Sequence, residues 1–382
     1  MKTGARPRRI GDRPVVIGFI GAGNVLGAYL QSMDRLLPTG RAVLGGIYAR
    51  NPRRRKALAA TRPGIPLFDS LEEALAAAWD VAVVITPPAT HMQLAHRALK
   101  SGKHVLVEKP LALRATDARA LVKCAQQAHR WLVSAPFVHL SPTFAFLAGE
   151  LRQGAIGTIH SARGLYGNSG SHWALWYHEE GGGPLADLGI YNLKSLTCVL
   201  GPVQAVFHRE TRSGRHRVIG GKRVGKYDPD VAHTLLVHRG GATSQIVSSH
   251  AIVQYDRPAL EFYGTSGTAN LRGDDWDPRG VDMWREARGC WESYPAIEPT
   301  WHWTDGLVEL VQALQEGRPP ISDLEHDLHL LDVLEAAGRS AKLGRMVTVR
   351  RQWAGAGPSG AQHIRAVRRH HLHDHTRPTD AQ

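Results

Sequence analysis

The stretch Pro14-Val15-Val16-Ile17-Gly18-Phe19-Ile20-Gly21-Ala22-Gly23-Asn24-Val25-Leu26-Gly27 decides the fold. Its first half is contiguously apolar rather than alternating, the pattern of a parallel strand covered on both faces. Its second half has Gly-x-Gly-x-x-Gly spacing with a strand before it and a helix after it, as in a dinucleotide-binding turn. Gly21 permits the tight turn, Gly23 lets backbone approach a pyrophosphate, and Gly27 lets helix and strand pack closely. Backbone N–H groups at the helix start, around Asn24 and Val25, add partial positive charge for phosphates.

Outward from this turn, strands and helices alternate with short connections. Asn24 to Leu37 reads as helix and Val43 to Tyr48 as strand. Pro52 to Thr61 follows as a helix with a basic outer face, then Ser70 to Ala78, where Ser70 and Glu73 form a capping box. Val81 to Thr86 is a third buried strand, and Thr90 to Ser101 a helix stopped at Gly102. Val105 to Val107, a helix from Thr116 as its cap to Ala128, and Trp131 to Ser134 complete the series. The order predicts an α/β Rossmann domain with a doubly wound parallel sheet over residues 14–136.

The alternation stops near Ala135-Pro136. A helix at 142–153 and longer strands of period two, such as Thr234 to His238 and Ser244 to His250, predict a second α/β domain over 137–350. Its sheet reads as mixed or antiparallel. Helices near 304–316 and 323–341 and a short strand at Val347 to Val349 close it.

The chain has 382 residues, 43% hydrophobic and 21% charged, enough for two domains with real cores. No apolar run is long enough to span a membrane. Cys124, Cys198 and Cys290 lie far apart and make no metal or redox spacing, which predicts a reducing, cytoplasmic compartment. Arg8-Arg9 precedes an apolar stretch, but that stretch is too short for an export core and is needed as strand.

The net charge is +13. Residues 1–13 set five basic residues against Asp12, and the tail from Arg351 sets five arginines against Asp374 and Asp380, so over half the excess lies at the ends. A nucleic-acid binder puts its charge on a structured face. Residues 1–13 therefore read as a flexible basic end and 351–382 as a disordered basic tail. The tail's cluster His370-His371-Leu372-His373-Asp374-His375 reads as a polar tract, and no metal site is assigned.

The end of the second strand selects the cofactor. An acidic residue there would hold ribose hydroxyls. The chain instead has Ala49-Arg50-Asn51, with Arg50 able to grip a 2′-phosphate as a planar fork. NADP is expected, with NAD as the alternative. Thr86-Pro87-Pro88-Ala89-Thr90-His91 follows the third buried strand, at the edge where such folds bind ligands. His91 either caps the next helix or touches the nicotinamide ribose.

Two further motifs define the chemistry. Glu108-Lys109-Pro110 ends the apolar run Val105-Leu106-Val107. Gly181-Gly182-Gly183-Pro184-Leu185-Ala186-Asp187-Leu188-Gly189-Ile190-Tyr191 lies about eighty residues on. Moving a hydride from a secondary alcohol also requires the hydroxyl proton to leave. A phenol is a poor base at neutral pH, and a lysine ammonium beside it favours phenolate. Asp187, one helical turn before Tyr191, lies on the same face and either orients Lys109 or binds a substrate hydroxyl. Alternatively Lys109 is itself the acid/base. In the segment His172 to His178, His172 and Trp176 present aromatic faces suited to a sugar ring or to loop packing. Trp301-His302-Trp303 reads as packing.

The three motifs in this order resemble the glucose–fructose oxidoreductase / inositol dehydrogenase / rhizopine-catabolism (Gfo/Idh/MocA) oxidoreductases, over about residues 14–350. The resemblance implies a C-terminal domain with a large open sheet that makes a homo-oligomer interface. It implies that Lys109 points at the substrate carbinol and the nicotinamide, that Glu108 and Pro110 border the cofactor, and that Pro110 follows a cis peptide bond. Inositol dehydrogenases have histidine where this chain has Tyr191. Tyrosine there is similar to glucose–fructose oxidoreductase and the dimeric dihydrodiol dehydrogenases. The expected function is an NAD(P)-dependent oxidoreductase acting on a sugar, polyol or related carbonyl compound. The alternative is a non-catalytic dinucleotide-binding sensor.

Overall fold

The computed structural model describes residues 10–170, 183–225, 227–351 and 353–355. They divide into two compact units: residues up to 137, 183–187 and 302–335 in the first, and 138–170, 188–301 and those from 336 in the second.

The first unit is built on six parallel strands: β1 (Val15–Ile20), β2 (Ala42–Tyr48), β3 (Leu67–Phe68), β4 (Val81–Val84), β5 (His104–Val107) and β6 (Leu132–Ser134). Their order, β3-β2-β1-β4-β5-β6, is that of a doubly wound dinucleotide-binding sheet. Every residue of β4 and β5 is buried, as their unbroken apolar runs require. Strand β3 was not anticipated, because two residues carry no periodicity.

The connecting helices are α1 (Leu26–Leu36), α2 (Pro52–Thr61), α3 (Leu71–Ala76), α4 (His91–Lys100) and α5 (Ala115–Ala128). Ser70 Oγ accepts the Glu73 N–H at 3.3 Å, half of the expected capping box. Thr116 is not the cap of α5. The helix begins a residue earlier, and the Glu335 carboxylate accepts the Ala115 N–H at 2.8 Å. A cap supplied 220 positions away leaves no local signal.

The second unit contains α6 (Pro142–Arg152), α7 (Ile190–Leu200) and strands β7 (Ile159–Gly167), β8 (Val203–Thr211), β9 (Arg217–Ile219), β10 (Lys222–Val224), β11 (Val231–His238), β12 (Thr243–Ser249), β13 (Leu260–Gly264), β14 (Gly267–Asp274), β15 (Asp277–Arg285), β16 (Cys290–Pro295) and β17 (Val347–Thr348). Nine form one sheet, ordered β16-β15-β14-β13-β7-β12-β11-β8-β17. All neighbours are antiparallel except the parallel pair β7–β12, so the sheet is mixed. One face, packed by α6 and α7, buries Ala162, Leu236, Ile246, Phe262 and Met283. The other leaves Phe207, Leu235 and Trp291 exposed, with Leu235 opposite Phe207 and Trp291 opposite Trp284. β9 and β10 form a separate hairpin.

Helices α8 (Gly306–Glu316) and the first part of α9 (Leu324–Leu343) return to the first unit, where the sequence reading had assigned residues 302–335 to the second. Ser32 Oγ lies 2.7 Å from Thr304 Oγ1, Arg119 pairs with Asp332 at 2.6 Å, and Leu328 and Leu331 enter the core formed with β4 and β5. An amphipathic helix reveals its apolar stripe but not the sheet it covers. Residues 10–13 are not a flexible end either. The Ile10 N–H donates to the Leu314 carbonyl at 3.2 Å, and Arg13 binds Asp80 through two bonds of 2.6 and 2.7 Å. The rest of the expected basic end, residues 1–9, and the His-rich tail from 356 lie outside the described residues.

Candidate active site

The parallel sheet brings four segments of the sequence reading to its carboxyl edge: Gly21–Gly23 after β1, Ala49–Asn51 after β2, Thr86–Pro87 after β4 and Glu108–Pro110 after β5. That edge is where ligands bind in open α/β sheets.

Gly21 has φ +119°, and a Cβ there would stand 3.0 Å from the Ile85 carbonyl oxygen and Thr86 Cγ2. Only glycine fits. Gly23 is exposed, and a Cβ on it would approach nothing closer than 3.9 Å. Helix α1 starts at Leu26, whose N–H bonds back to the Gly23 carbonyl at 3.2 Å, with Asn24 and Val25 just ahead of it. An exposed glycine turn running into a helix N-terminus fits a dinucleotide pyrophosphate. Gly27 does not have its expected role. A Cβ there meets nothing within 4 Å, so close helix–strand packing does not require glycine.

Ala49 is buried, whereas Arg50 and Asn51 are exposed. Asn51 Oδ1 accepts the Arg53 N–H at 2.9 Å, so this acceptor caps α2. Arg55 Nη1 donates to the Ala49 carbonyl at 2.5 Å and lies 3.8 Å, through Nη2, from the Asp69 carboxylate. A carboxylate therefore does approach the end of β2, supplied by the residue after β3. It is not visible at the end of β2 itself, where the chain has Ala49-Arg50-Asn51.

His91 is completely buried. Its Nε2 lies 2.7 Å from the Thr86 carbonyl oxygen and its Nδ1 2.8 Å from that of Pro110. Burial pushes its pKa down, and the Lys109 charge acts in the same direction. Both ring nitrogens face main-chain carbonyls, the neutral ring donating to one of them, so His91 packs between two loops, and neither expected role, helix cap or ribose contact, describes it. Thr86 Oγ1 accepts from Thr90 Oγ1 at 2.7 Å. Glu108 is buried as well, accepting from Tyr29 Oη at 2.7 Å and from the Lys109 N–H at 3.0 Å. Burial pushes its pKa up and the neighbouring Lys109 charge opposes this. Its carboxylate works inside the fold. Tyr29, which anchors it to α1, was missed because a helical tyrosine carries no motif.

The Lys109–Pro110 bond is cis. Lys109 Nζ donates to Asp187 Oδ1 at 2.5 Å and to the Asp187 carbonyl at 2.7 Å, with the two side chains 14% and 13% exposed. Asp187 lies in a π-helical turn, Leu185–Gly189, rather than in the regular helix expected. Tyr191 follows on α7, is 8% exposed, and meets the Tyr166 ring edge-on at 6.0 Å and 73°. His172 and Trp176, the other expected substrate residues, lie outside the described residues. Trp303 packs edge-on against Tyr29 at 6.0 Å, as the packing reading had it. A further ionisable group, Asp275, is buried near neutral-pH titration, pushed up to about 7 chiefly by burial. The run Asp274-Asp275-Trp276-Asp277 was its only signal in sequence.

Residues 15–135 match the oxidoreductase family with an NAD-binding Rossmann fold, Gfo/Idh/MocA, and residues 145–270 match the C-terminal domain of the same family. The chain belongs to the Gfo/Idh/MocA oxidoreductases. Among its relatives, trans-1,2-dihydrobenzene-1,2-diol dehydrogenase of Oryctolagus cuniculus is 28% identical, over 83% of this chain and 95% of that one. The Bos taurus enzyme of the same name is 26% identical, over 83% and 94%. Among solved structures, GenD2 from gentamicin A biosynthesis in complex with NAD is 28% identical, with a TM-score of 0.73 over 90% of this chain and 99% of that one. Aldose-aldose oxidoreductase from Caulobacter crescentus, complexed with glycerol, shares the fold at 24% identity, with a TM-score of 0.74 over 88% and 100%.

This Gfo/Idh/MocA protein is therefore an oxidoreductase with an NAD-binding Rossmann domain. Its Rossmann sheet and its mixed second sheet are those expected from the sequence. No described helix is long and apolar enough to cross a membrane.

Proposed function

We propose that this oxidoreductase interconverts a secondary alcohol and a carbonyl on a sugar, polyol or vicinal diol, with Lys109, Asp187 and Tyr191 managing the proton. The carrying observation is the Lys109–Asp187 pair. It holds an ammonium at the carboxyl edge of the dinucleotide-binding sheet with its charge balanced. A bound nicotinamide would supply or accept the hydride. On oxidation, the hydroxyl proton passes to Tyr191 as phenolate, and on reduction Tyr191 returns it. A cation beside a phenol favours phenolate, the role this reading gives Lys109, and Asp187 fixes the direction of the ammonium. A non-catalytic sensor has no need for such a partly buried ion pair.

We assign Gly21, Gly23, Asn24 and Val25 to the pyrophosphate, Arg50 to the adenosine phosphate, and Thr86 and Pro87 to the nicotinamide side. NADP is preferred to NAD on this reading. Arg50 is exposed, and the nearby Asp69 charge is offset by Arg55. His172 and Trp176 are assigned to substrate. The open face of the second sheet, where Phe207, Leu235 and Trp291 stand exposed among polar residues, suits a homo-oligomer contact. Cys124, Cys198 and Cys290, few and far apart in sequence, suit a reducing cytoplasm.

The test is absorbance of the reduced nicotinamide across sugars, polyols and trans-diols, with NAD and NADP in parallel. Turnover of one class is expected. Dinucleotide binding without turnover on any of them would overturn the reading and favour the sensor.

A further inference from the structure

Asp275 stands outside every role assigned above. It follows β14, is 1% exposed, and its Oδ2 accepts from Asn192 Nδ2 at 3.1 Å and from Ser195 Oγ at 3.0 Å. Both donors lie on α7, Asn192 directly after Tyr191. Trp276, the next residue, has its ring 6.2 Å from Tyr166, and Tyr166 in turn lies 6.0 Å from Tyr191. The turn thus reaches the Tyr191 region twice, by hydrogen bonds to α7 and by a row of rings.

The hydrogen bonding is incomplete in an informative way. Asp275 Oδ1 and Asn192 Oδ1 are both buried, and neither has a hydrogen-bond partner among the described residues. Both oxygens need a donor, and a protonated carboxyl would be one. As a carboxylate, Asp275 only accepts.

We propose that Asp275 is a positioning residue for Tyr191, holding the first turns of α7 through Asn192 and Ser195 in one way as carboxyl and in another as carboxylate. The inference rests on the reading of Tyr191 as the residue that takes the substrate proton. Neither donor is a cation, and burial lifts Asp275 to about 7. Asp274 on the same turn pushes the same way, while itself accepting from Tyr255 Oη at 2.9 Å and lying near Asp277 and Arg279. On α7 the ionisable neighbours of the two donors are Tyr191, Lys194 and Cys198.

The test is the pH profile of kcat for the full-length enzyme. The wild type should show an inflection near neutral pH. Asp275→Asn should abolish that inflection and lower kcat on the order of tenfold, through misplacement of Tyr191. A folded Asp275→Asn enzyme with wild-type kcat and an unchanged inflection would overturn the proposal, as would a lowered melting temperature with an unchanged profile. If Asp275→Asn does not fold, Ser195→Ala provides the test. Losing one bond to the carboxylate should move the inflection to higher pH, and an unmoved inflection would overturn the proposal. A wild type that turns over no alcohol sinks the functional reading separately. Infrared difference spectra between about pH 5 and about pH 9 then decide the matter. A carboxyl band lost in Asp275→Asn together with shifted tyrosine bands supports the proposal, and identical spectra overturn it.

Discussion

Lys109 Nζ stands 2.5 Å from the Asp187 carboxylate and 2.7 Å from the Asp187 main-chain carbonyl, across 78 positions of sequence. Two acceptors from one residue fix an ammonium more tightly than a single-point ion pair. The main chain of Lys109 is fixed too, because Glu108 accepts its N–H and the next carbonyl packs against His91 Nδ1 at 2.8 Å. A flexible side chain is thereby held in one place, as positioning in a hydride-transfer site demands.

Lys109→Ala should lower kcat by roughly 10²–10⁴-fold, the range for loss of a positioned proton-transfer group. Dinucleotide affinity should change little. Steady-state kinetics and a fluorescence titration of NADPH separate the two, and wild-type turnover would remove Lys109 from the mechanism.

Arg50→Ala should weaken NADPH by about 1–2 kcal/mol, the scale of a charge-assisted contact at a partly exposed site. NADH should be affected far less. Dissociation constants for both dinucleotides measure this, and equal losses would mean that Arg50 does not read the 2′-phosphate.

Gly21→Ala should destabilise the fold by about 1–3 kcal/mol, because alanine is strained at positive φ. Its methyl would also press on the Ile85 carbonyl, 3.0 Å away. Thermal melting should register the loss, with dinucleotide binding weakened in the same variant. The corresponding Gly27→Ala change meets open space and should leave the melting temperature within about 1 °C or raise it, through the better helix propensity of alanine.

His104 should make the protein acid-sensitive. It is buried in β5, its Nδ1 accepts the Trp131 N–H at 3.0 Å, and its pKa is lowered to about 4, by burial first and then by Arg130, against the pull of Asp80. The unfolded chain therefore takes up this proton before the folded one does. The contribution is fully present above about pH 6.5 and is lost by about pH 4, on the order of 3 kcal/mol. Chemical denaturation across that window should show the slope. His104→Gln should flatten it, and an unchanged slope would assign the acid sensitivity to other groups.

Much of the architecture was written locally. The buried strands announced themselves as unbroken apolar runs, since a strand covered on both faces has no polar side to show. Gly21 announced itself because only glycine takes that backbone conformation. The misses share a cause. Strand β3, the Glu335 cap of α5, Asp69 beside β2 and the return of α8 to the first unit all depend on which distant segment arrives, and no local pattern encodes that.

The sequence by itself determined the doubly wound sheet, the glycine turn, the mixed second sheet and the set of residues at the carboxyl edge. These follow from short-range sterics and from hydrophobic periodicity, which act between near neighbours. Only the tertiary structure decided what those residues do with their polar atoms. It turned His91 and Glu108 inward, gave Asn51 to a helix cap, closed Asp187 onto Lys109 and buried Asp275 against α7. Hydrogen bonds and desolvation are properties of contacts, and those contacts exist only once the chain has brought distant segments together.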